Sequence, residues 1–162
     1  MNRREVLFAG FGGTVGLLAN QVDAQEGKAD APLPGAIPLK IGEALDIYVQ
    51  STPVKVGKED LHIVSVGRGT FYLDKESRLT GRLKAAVAQY AKTVYWISAA
   101  VFDLKGKLLG AAAHREEVQY IRLGQAPTIF REIDLDFGIS KAYSGAKFLA
   151  VSVSEPEEPK PG

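Results

Sequence analysis

The sequence of 162 residues contains no cysteine. This absence excludes disulfide bonds, iron–sulfur clusters, thiolate zinc sites, covalently attached c-type haem and thiol redox chemistry in this chain. We therefore expect the protein to be stabilised by packing alone, and to fold without a cofactor.

Histidine is also scarce, since His62 and His114 are the only two in the chain. They fall in separate predicted strands, and only Glu116 and Glu117 lie near the second one in sequence. Zinc requires several nitrogen, oxygen or sulfur ligands that converge on one point, so we predict no metal site. A nucleophile elbow of the form Gly-x-Ser-x-Gly is absent as well, and we expect no catalytic residues and no enzymatic activity.

Charge of either sign is not in excess. The chain has 20 basic and 19 acidic residues, which gives a formal net charge of +1. Such a balance produces no long-range field that would attract phosphate backbones or anionic lipid. Nucleic acids and membrane surfaces are therefore disfavoured as partners.

The first residues follow the order of a secretory signal. Arg3 and Arg4 precede an uncharged run at residues 6–19, and Ala24 supplies a small residue where a signal peptidase would cut. The run is about 14 residues long, shorter than the roughly 20 that a helix needs to cross a bilayer. We therefore predict a signal peptide at residues 1–24 and a protein located in the periplasm or outside the cell.

The route of export is also suggested by these residues. Adjacent arginines followed by an apolar run with four glycines resemble a twin-arginine export signal. This bacterial route carries proteins that have already folded. An ordinary secretory signal can also begin with two arginines, so the general secretory route stays open as the alternative.

Two segments with few large apolar side chains flank the remaining sequence. Residues 25–38 contain three prolines and two glycines and are predicted to form a flexible leader. Residues 155–162 are rich in proline and glutamate and are predicted to form a disordered tail. The folded part is therefore expected to be one domain at residues 39–154.

Within this domain, polar and apolar residues alternate with the period of a β-strand. Residues 94–103 are nearly all apolar, β-branched or aromatic, which predicts a central strand covered on both sides, with Trp96 in the core. Gly106 lies in a turn after this strand, so residues 107–114 should pair with it antiparallel. About seven such strands predict an all-β fold, an antiparallel two-layer β-sandwich.

Three further local predictions concern the strands around this core. Gly67, Arg68 and Gly69 are expected to form the turn of a hairpin. Residues 79–90 fit either a short helix or a strand, and their alternation favours a strand that turns back at residues 90–93 into the next one. Residues 128–138 alternate strictly, and the side chains predicted to point inward are Ile129, Ile133, Leu135 and Phe137. Residues 148–154 are predicted to be the last strand.

Residues 94–154 contain an ordered series of features. A strand ends in aspartate, a Gly-Lys turn follows, the next strand carries a small glycine, and the series closes on Val-x-Val-Ser. The residues concerned are Phe102, Asp103, Gly106, Lys107, Gly110, residues 130–137 and residues 151–154. This series resembles the small extracytoplasmic β-sandwich domains of the FxLYD and fibronectin-like kind. The resemblance implies an immunoglobulin- or fibronectin-type-III-like sandwich (Ig/FnIII-like) that mediates interactions and has no catalytic residues.

Two rows of charge offer a candidate assembly face. Acidic residues on one face of residues 128–138 would lie about 7 Å apart along the strand. They are Glu132, Asp134 and Asp136. Basic residues alternate in the same way from residue 78, and they are Arg78, Arg82 and Lys84. If the two strands are neighbours, opposite charges across them stabilise the sheet; the same rows could instead meet between two molecules. Three such carboxylates could instead bind calcium, and two could act as the acid and the base of sugar hydrolysis, but a straight strand spreads them apart, which favours a solvated outer face.

Aromatic residues offer a candidate binding face. Tyr90, Tyr95, Tyr120 and Phe130 are predicted to form an exposed platform that stacks on a sugar ring or on a protein partner. Only a contiguous patch of such side chains would indicate a binding surface. Their proximity is therefore the structural question that this hypothesis raises.

Together these observations favour an exported, non-enzymatic β-sandwich that acts as an interaction or assembly module, through a protein partner or by self-association. The alternative is a domain that binds carbohydrate or another small ligand on an exposed aromatic face. A small hydrolase is the third and weakest hypothesis. No nucleic acid, no cofactor and no stable membrane anchor after cleavage is expected.

Overall fold

A computed structural model describes residues 33–90, 93–119 and 128–155 of the chain. These residues form ten strands: β1 (Ile37–Pro38), β2 (Ala44–Gln50), β3 (Pro53–Val56), β4 (Glu59–His62), β5 (Val64–Leu73), β6 (Arg78–Ala88), β7 (Thr93–Phe102), β8 (Leu108–Val118), β9 (Thr128–Ile139) and β10 (Phe148–Ser154). Between β9 and β10 lies a 3-10 helix at Lys141–Gly145. The predicted all-β fold is confirmed. The predicted signal peptide with Arg3, Arg4 and Ala24 lies outside the described residues.

The strands form two four-stranded antiparallel sheets and one hairpin. One sheet has the order β1-β10-β7-β8, the other has the order β2-β5-β6-β9, and β3 pairs with β4. A single hydrophobic core contains buried side chains from both four-stranded sheets. This arrangement is consistent with a β-sandwich, in which each sheet turns one apolar face toward the other.

Strict alternation in β9 shows how the sequence produces these two faces. Ile133, Leu135 and Phe137 are buried in the core, and the intervening residues are exposed. Phe137 packs against Phe71, with ring centroids 6.1 Å apart. The Tyr143 hydroxyl donates a hydrogen bond to the Phe137 carbonyl over 2.6 Å, which ties the 3-10 helix to β9. The inward side chains predicted for this strand are therefore confirmed.

The predicted hairpin of β7 and β8 is also present. The two strands pair antiparallel from Thr93 opposite Val118 to Phe102 opposite Leu108. Gly106 in the connecting turn has φ of 80°, a conformation that side chains with a Cβ rarely adopt. The glycine in the predicted turn therefore serves the purpose that the sequence indicated.

The predicted turn at residues 67–69 is wrong. These residues lie inside β5, which runs without interruption and carries a β-bulge between Val66 and Arg68 in its pairing with β6. Neither Gly67 nor Gly69 has a positive φ, so neither reverses the chain. Gly69 instead allows the Leu83 side chain to pack closely against the backbone of β5, since a Cβ at position 69 would lie 2.7 Å from that side chain.

The helix considered for residues 79–90 is wrong too, since these residues belong mainly to strand β6. The predicted hairpin between β6 and β7 is not formed either. β6 pairs with β5 and β9, and β7 pairs with β10 and β8 in the other sheet. Val87 of β6 and Tyr95 of β7 both enter the core, so the chain crosses from one layer to the other between them.

Residues before position 39 contribute to the folded body. β1 pairs with β10, with Ile37 opposite Leu149. Leu33 and Ala36 are buried in a second apolar cluster on the outer face of this β1-β10-β7-β8 sheet. That cluster also contains Ala100, Phe102, Phe148 and Ala150. Part of the segment assigned to the flexible leader thus covers the second face of β7 and β10, while residues 25–32 and 156–162 lie outside the described residues.

Candidate functional site

The outer face of the β2-β5-β6-β9 sheet carries most of the predicted site residues. Alternation along β6 places Leu83 and Ala85 in the core and Lys84 on the opposite, exposed face. The register carries this face across the sheet, because Lys84 lies opposite Glu132 of β9. Side chains from four adjacent strands therefore share one surface.

This surface contains a groove with a volume of about 720 Å³. Two exposed aromatic side chains, Tyr48 and Phe130, line it from the two edge strands of the sheet. Between them the lining includes the small residues Ser65, Gly67 and Ala86. The groove exists because these short side chains lie between long ones. Its other lining residues are Gln50, Val66, Arg68, Lys84, Ala85, Arg131 and Glu132. The volume is in the range of small-molecule sites.

Tyr48 reaches the groove through an irregularity in β2. The pairing of β2 with β5 shifts between Asp46 and Val49, which is the mark of a β-bulge. Tyr48 has φ of 53° and its side chain is 74% exposed, while the preceding Ile47 is buried. A left-handed backbone is unusual for an aromatic residue and costs roughly 1–2 kcal/mol. The fold thus exposes the Tyr48 ring on a backbone that is strained at this residue.

Among the predicted platform residues that the structure describes, Phe130 is the one that lines the groove. Its side chain is 85% exposed, and it lies opposite Ala86 of β6. Tyr48 is not among the predicted platform residues, although its sequence context indicates an exposed position. In residues 44–50 the apolar Leu45, Ile47 and Val49 alternate with polar or aromatic residues, which predicts a strand with Tyr48 on its outer face.

Of the other predicted platform residues, Tyr95 and Tyr90 are described by the structure, and neither lines the groove. Tyr95 is fully buried and the adjacent Trp96 is 38% exposed, which reverses the predicted placement of the two rings. Tyr95 shares the core-facing side of β7 with Ile97, and Trp96 lies on the outer side. Tyr90 is exposed but is not a lining residue of the groove. Tyr120 lies outside the described residues.

The buried Tyr95 has an unusual environment. Within the described part of the chain, its hydroxyl has no hydrogen-bond partner. Burial raises the pKa of the Tyr95 phenol, and the nearby Glu155 carboxylate raises this pKa further. Both causes favour the neutral phenol. Tyr95 is therefore a core residue with an unsatisfied polar atom and makes no contribution to an exposed platform.

The two charged rows lie on neighbouring strands, as the sequence analysis expected for a stabilising role. The Arg82 Nε donates to Asp134 Oδ1 over 2.9 Å, and the Arg78 Nη1 donates to Asp136 Oδ2 over 2.5 Å. The hydrogen bond with Asp134 raises the pKa of Arg82. Exposed pairs of this kind contribute little to stability because solvent screens their charges. Their charges are satisfied within one chain.

The third basic residue of the row behaves differently. Lys84 lies opposite Arg68 of β5 on one side and opposite Glu132 of β9 on the other. Among the ion pairs formed by described residues, none involves Lys84, Arg68 or Glu132 within 4.0 Å. All three side chains line the groove. Arg68 and Lys84 are therefore two adjacent cations of the groove without an ion-pair partner among the residues that the structure describes.

A separate charged cluster joins the edges of the two sheets. Glu116 of β8 is nearly buried, and it accepts from His114 Nε2 over 2.9 Å and approaches Arg131 Nε of β9 at 3.3 Å. The other histidine, His62, lies 2.6 Å through its Nδ1 from the Ser51 carbonyl. Across residues 33–90, 93–119 and 128–155, no group of three histidine, cysteine, aspartate or glutamate side chains could hold a metal ion.

The groove is therefore suited to contact a ligand through two aromatic rings, two cations and several hydrogen-bonding groups.

No helix in the described ranges is long and apolar enough to cross a membrane. No protein-family model, curated protein or solved structure matches this chain.

Proposed function

We propose that this protein is an exported, non-enzymatic β-sandwich domain that binds carbohydrate in the groove on the outer face of the β2-β5-β6-β9 sheet. One observation carries the proposal: Tyr48 and Phe130, both largely exposed, line a groove of about 720 Å³ from opposite edges of the sheet. Single exposed aromatic residues are common, but two in one concavity point to a ligand.

The chemistry of the groove suits a sugar ring. A pyranose presents apolar C–H bonds on its faces and hydroxyl groups around its edge. The rings of Tyr48 and Phe130 supply apolar surface for the former. Gln50, Ser65 and Glu132 line the same groove and supply donors and acceptors for the hydroxyl groups. Mainly apolar walls with a few polar groups are typical of small-ligand sites.

The assembly hypothesis has less support. It drew on the basic and acidic rows, and Arg78 and Arg82 direct their guanidinium groups to Asp136 and Asp134 of the same chain. These charges would have to exchange partners before they could contact a second molecule. The groove requires no such exchange, which favours a small ligand over self-association.

The location and the fold class complete the proposal. The order of Arg3, Arg4, the apolar run and Ala24 supports export to the bacterial periplasm or the exterior. Two four-stranded antiparallel sheets over a shared core support the Ig/FnIII-like class that the resemblance of residues 94–154 implies. A carbohydrate-binding domain in this compartment would act on glycans of a cell surface or of the surroundings.

A glycan array followed by isothermal titration calorimetry tests the proposal. We expect the protein from residue 25 onward to bind at least one oligosaccharide, and Tyr48→Asn and Phe130→Ala each to weaken binding by about tenfold or more. Asn tolerates the left-handed backbone at position 48, so the first variant should fold. Tyr90→Ala, which removes an exposed tyrosine outside the groove, should bind like the wild type. An array without any bound glycan would refute the proposal.

A further inference from the structure

We infer that the saccharide bound in the groove carries a negative charge, as a carboxylate or a sulfate ester, and that Arg68 and Lys84 bind that anion. This inference rests on the proposed function and names its ligand class. It begins from the register of β5 and β6, in which Arg68 lies directly opposite Lys84. Like charges in directly opposed positions destabilise a sheet. The chain therefore maintains an unfavourable pair at this position.

The neighbouring cations show that this pair is exceptional on its face. Arg78 and Arg82 each contact an aspartate of β9. Arg68 and Lys84 have no carboxylate within 4.0 Å among the described residues. Both are exposed and line the groove. A bound anion would remove the repulsion between them.

The acidic residues nearby locate the anion within the groove. Glu132 lies opposite Lys84 on the β9 side, and Asp46 lies opposite Arg68 on the β2 side. Glu132 lines the groove and would repel an anion held close to β9, whereas Asp46 is not a lining residue. The favourable position is therefore between the Arg68 and Lys84 side chains, away from both carboxylates. Gly67 leaves room there, since a Cβ on it would meet no atom within 4 Å.

The two cations also suit this anion geometrically. A guanidinium group can donate two parallel hydrogen bonds to a carboxylate or a sulfate, and an ammonium group acts as a compact point charge. Sugars that carry such groups keep a ring for Tyr48 and Phe130 to contact. An extended polyanion without rings to stack would use only half of the groove. The chain's net charge of +1 adds no general attraction for polyanions.

Calorimetric titrations with paired oligosaccharides test this inference. The probes are oligogalacturonate and its methyl ester, and a sulfated galactan oligosaccharide and its desulfated form. Within each pair, the second compound keeps the sugar rings of the first and lacks its negative charge. We expect one acidic form to bind about tenfold tighter than its neutral partner. Arg68→Gln and Lys84→Gln should each remove most of that difference, so that the acidic and the neutral member of a pair bind with nearly equal affinity.

Controls separate this inference from the proposed function. Lys105→Gln, an exposed lysine in the turn between β7 and β8, should bind all probes like the wild type. The preference for the acidic form should decrease as salt screens the charges. If neutral forms bind as well as acidic ones and Phe130→Ala still abolishes binding, the inference is wrong and the proposed function stands. If no glycan binds at all, both are wrong.

Discussion

Ser77 and Gly106 occupy the same position in two hairpin turns of the same geometry. In each turn an aspartate Oδ1, that of Asp74 or of Asp103, accepts hydrogen bonds from the second and fourth following amides over 2.8–2.9 Å. The third residue after the aspartate has a positive φ in both turns, 64° for Ser77 and 80° for Gly106. A serine therefore holds a conformation that glycine adopts without steric cost.

Replacing this serine should stabilise the protein. We expect Ser77→Gly to raise the free energy of unfolding by about 0.5–1 kcal/mol, since it relieves a left-handed conformation at a small cost in chain entropy. Gly106→Ser should lower it by a similar amount. Urea denaturation of both variants measures the two changes. A loss of stability in Ser77→Gly would contradict the proposed equivalence of the turns.

Tyr48 should trade stability for binding. Its φ of 53° places strain at the groove, as is common for functional residues. We expect Tyr48→Asn to keep or raise the free energy of unfolding, by up to about 1 kcal/mol, and to lose ligand affinity. Phe130→Asn, on an ordinary strand backbone, should lose affinity without any gain in stability. A Tyr48→Asn variant that unfolds at clearly lower urea concentration would argue against strain at this position.

Filling the groove should block it without disturbing the fold. A Cβ on Gly67 would meet no atom within 4 Å, so Gly67→Leu is expected to fold normally and to lose binding. Gly81→Leu is the matched control and should lower the stability of the fold, because a Cβ at position 81 would lie 2.5 Å from Phe71 Cε1. Overpacking of this kind costs about 1–3 kcal/mol or more. Thermal melts and calorimetry distinguish the two, and undiminished binding by Gly67→Leu would place the ligand elsewhere.

Tyr95 should make the protein sensitive to alkali. Burial raises the pKa of its phenol above the ordinary value of 10.0, so the folded state keeps a proton that the unfolded chain releases. The stability contributed by the neutral phenol is complete below about pH 10 and is lost as the pH rises further. We expect Tyr95→Phe to resist urea better than the wild type at about pH 8, because the unpaired hydroxyl is gone, and by a larger margin at about pH 11.

The control for Tyr95 is an exposed tyrosine of the other sheet. Tyr72→Phe should leave the urea midpoint close to that of the wild type at both pH values, since its ring is exposed. The comparison removes the contribution of lysines and other groups that titrate in alkali. If Tyr95→Phe and Tyr72→Phe respond alike, burial of the Tyr95 hydroxyl has no part in alkaline unfolding.

The export route makes a prediction about the first residues. Replacing Arg3 and Arg4 by lysine should leave the precursor in the cytoplasm if the twin-arginine route is used, because that route recognises the arginine pair itself. Cell fractionation and the size of the protein on a gel report both location and cleavage. Replacement of Arg115 by lysine serves as the control. Normal export of the double variant would assign the protein to the general secretory route.

The sequence was informative where one face of a strand is solvated. β9 alternates between Leu135 or Phe137 inside and charged residues outside, and its orientation was predicted correctly. β7 has apolar residues on both faces, because residues such as Leu33 cover its second side. Its sequence therefore contains no alternation that distinguishes the two faces, which is why Tyr95 and Trp96 were interchanged.

The candidate site was less accessible to prediction for a related reason. Phe130 was identified as exposed, but its neighbours in the groove depend on which strands pair and in what register. Arg68 lies opposite Lys84 only because the bulge between Val66 and Arg68 shifts the pairing of β5 with β6 by one residue. The glycines of residues 67–69 look like a turn in sequence, and only the sheet shows that Gly67 is the floor of a groove.

The short segment that precedes β1 and packs against β7 and β10 also sets a boundary for shortening the chain. Leu33 and Ala36 shield Phe102 and Phe148 from water. A recombinant version that starts at residue 39 would present both phenylalanines to solvent and invite aggregation, so the shortest soluble form should retain Leu33.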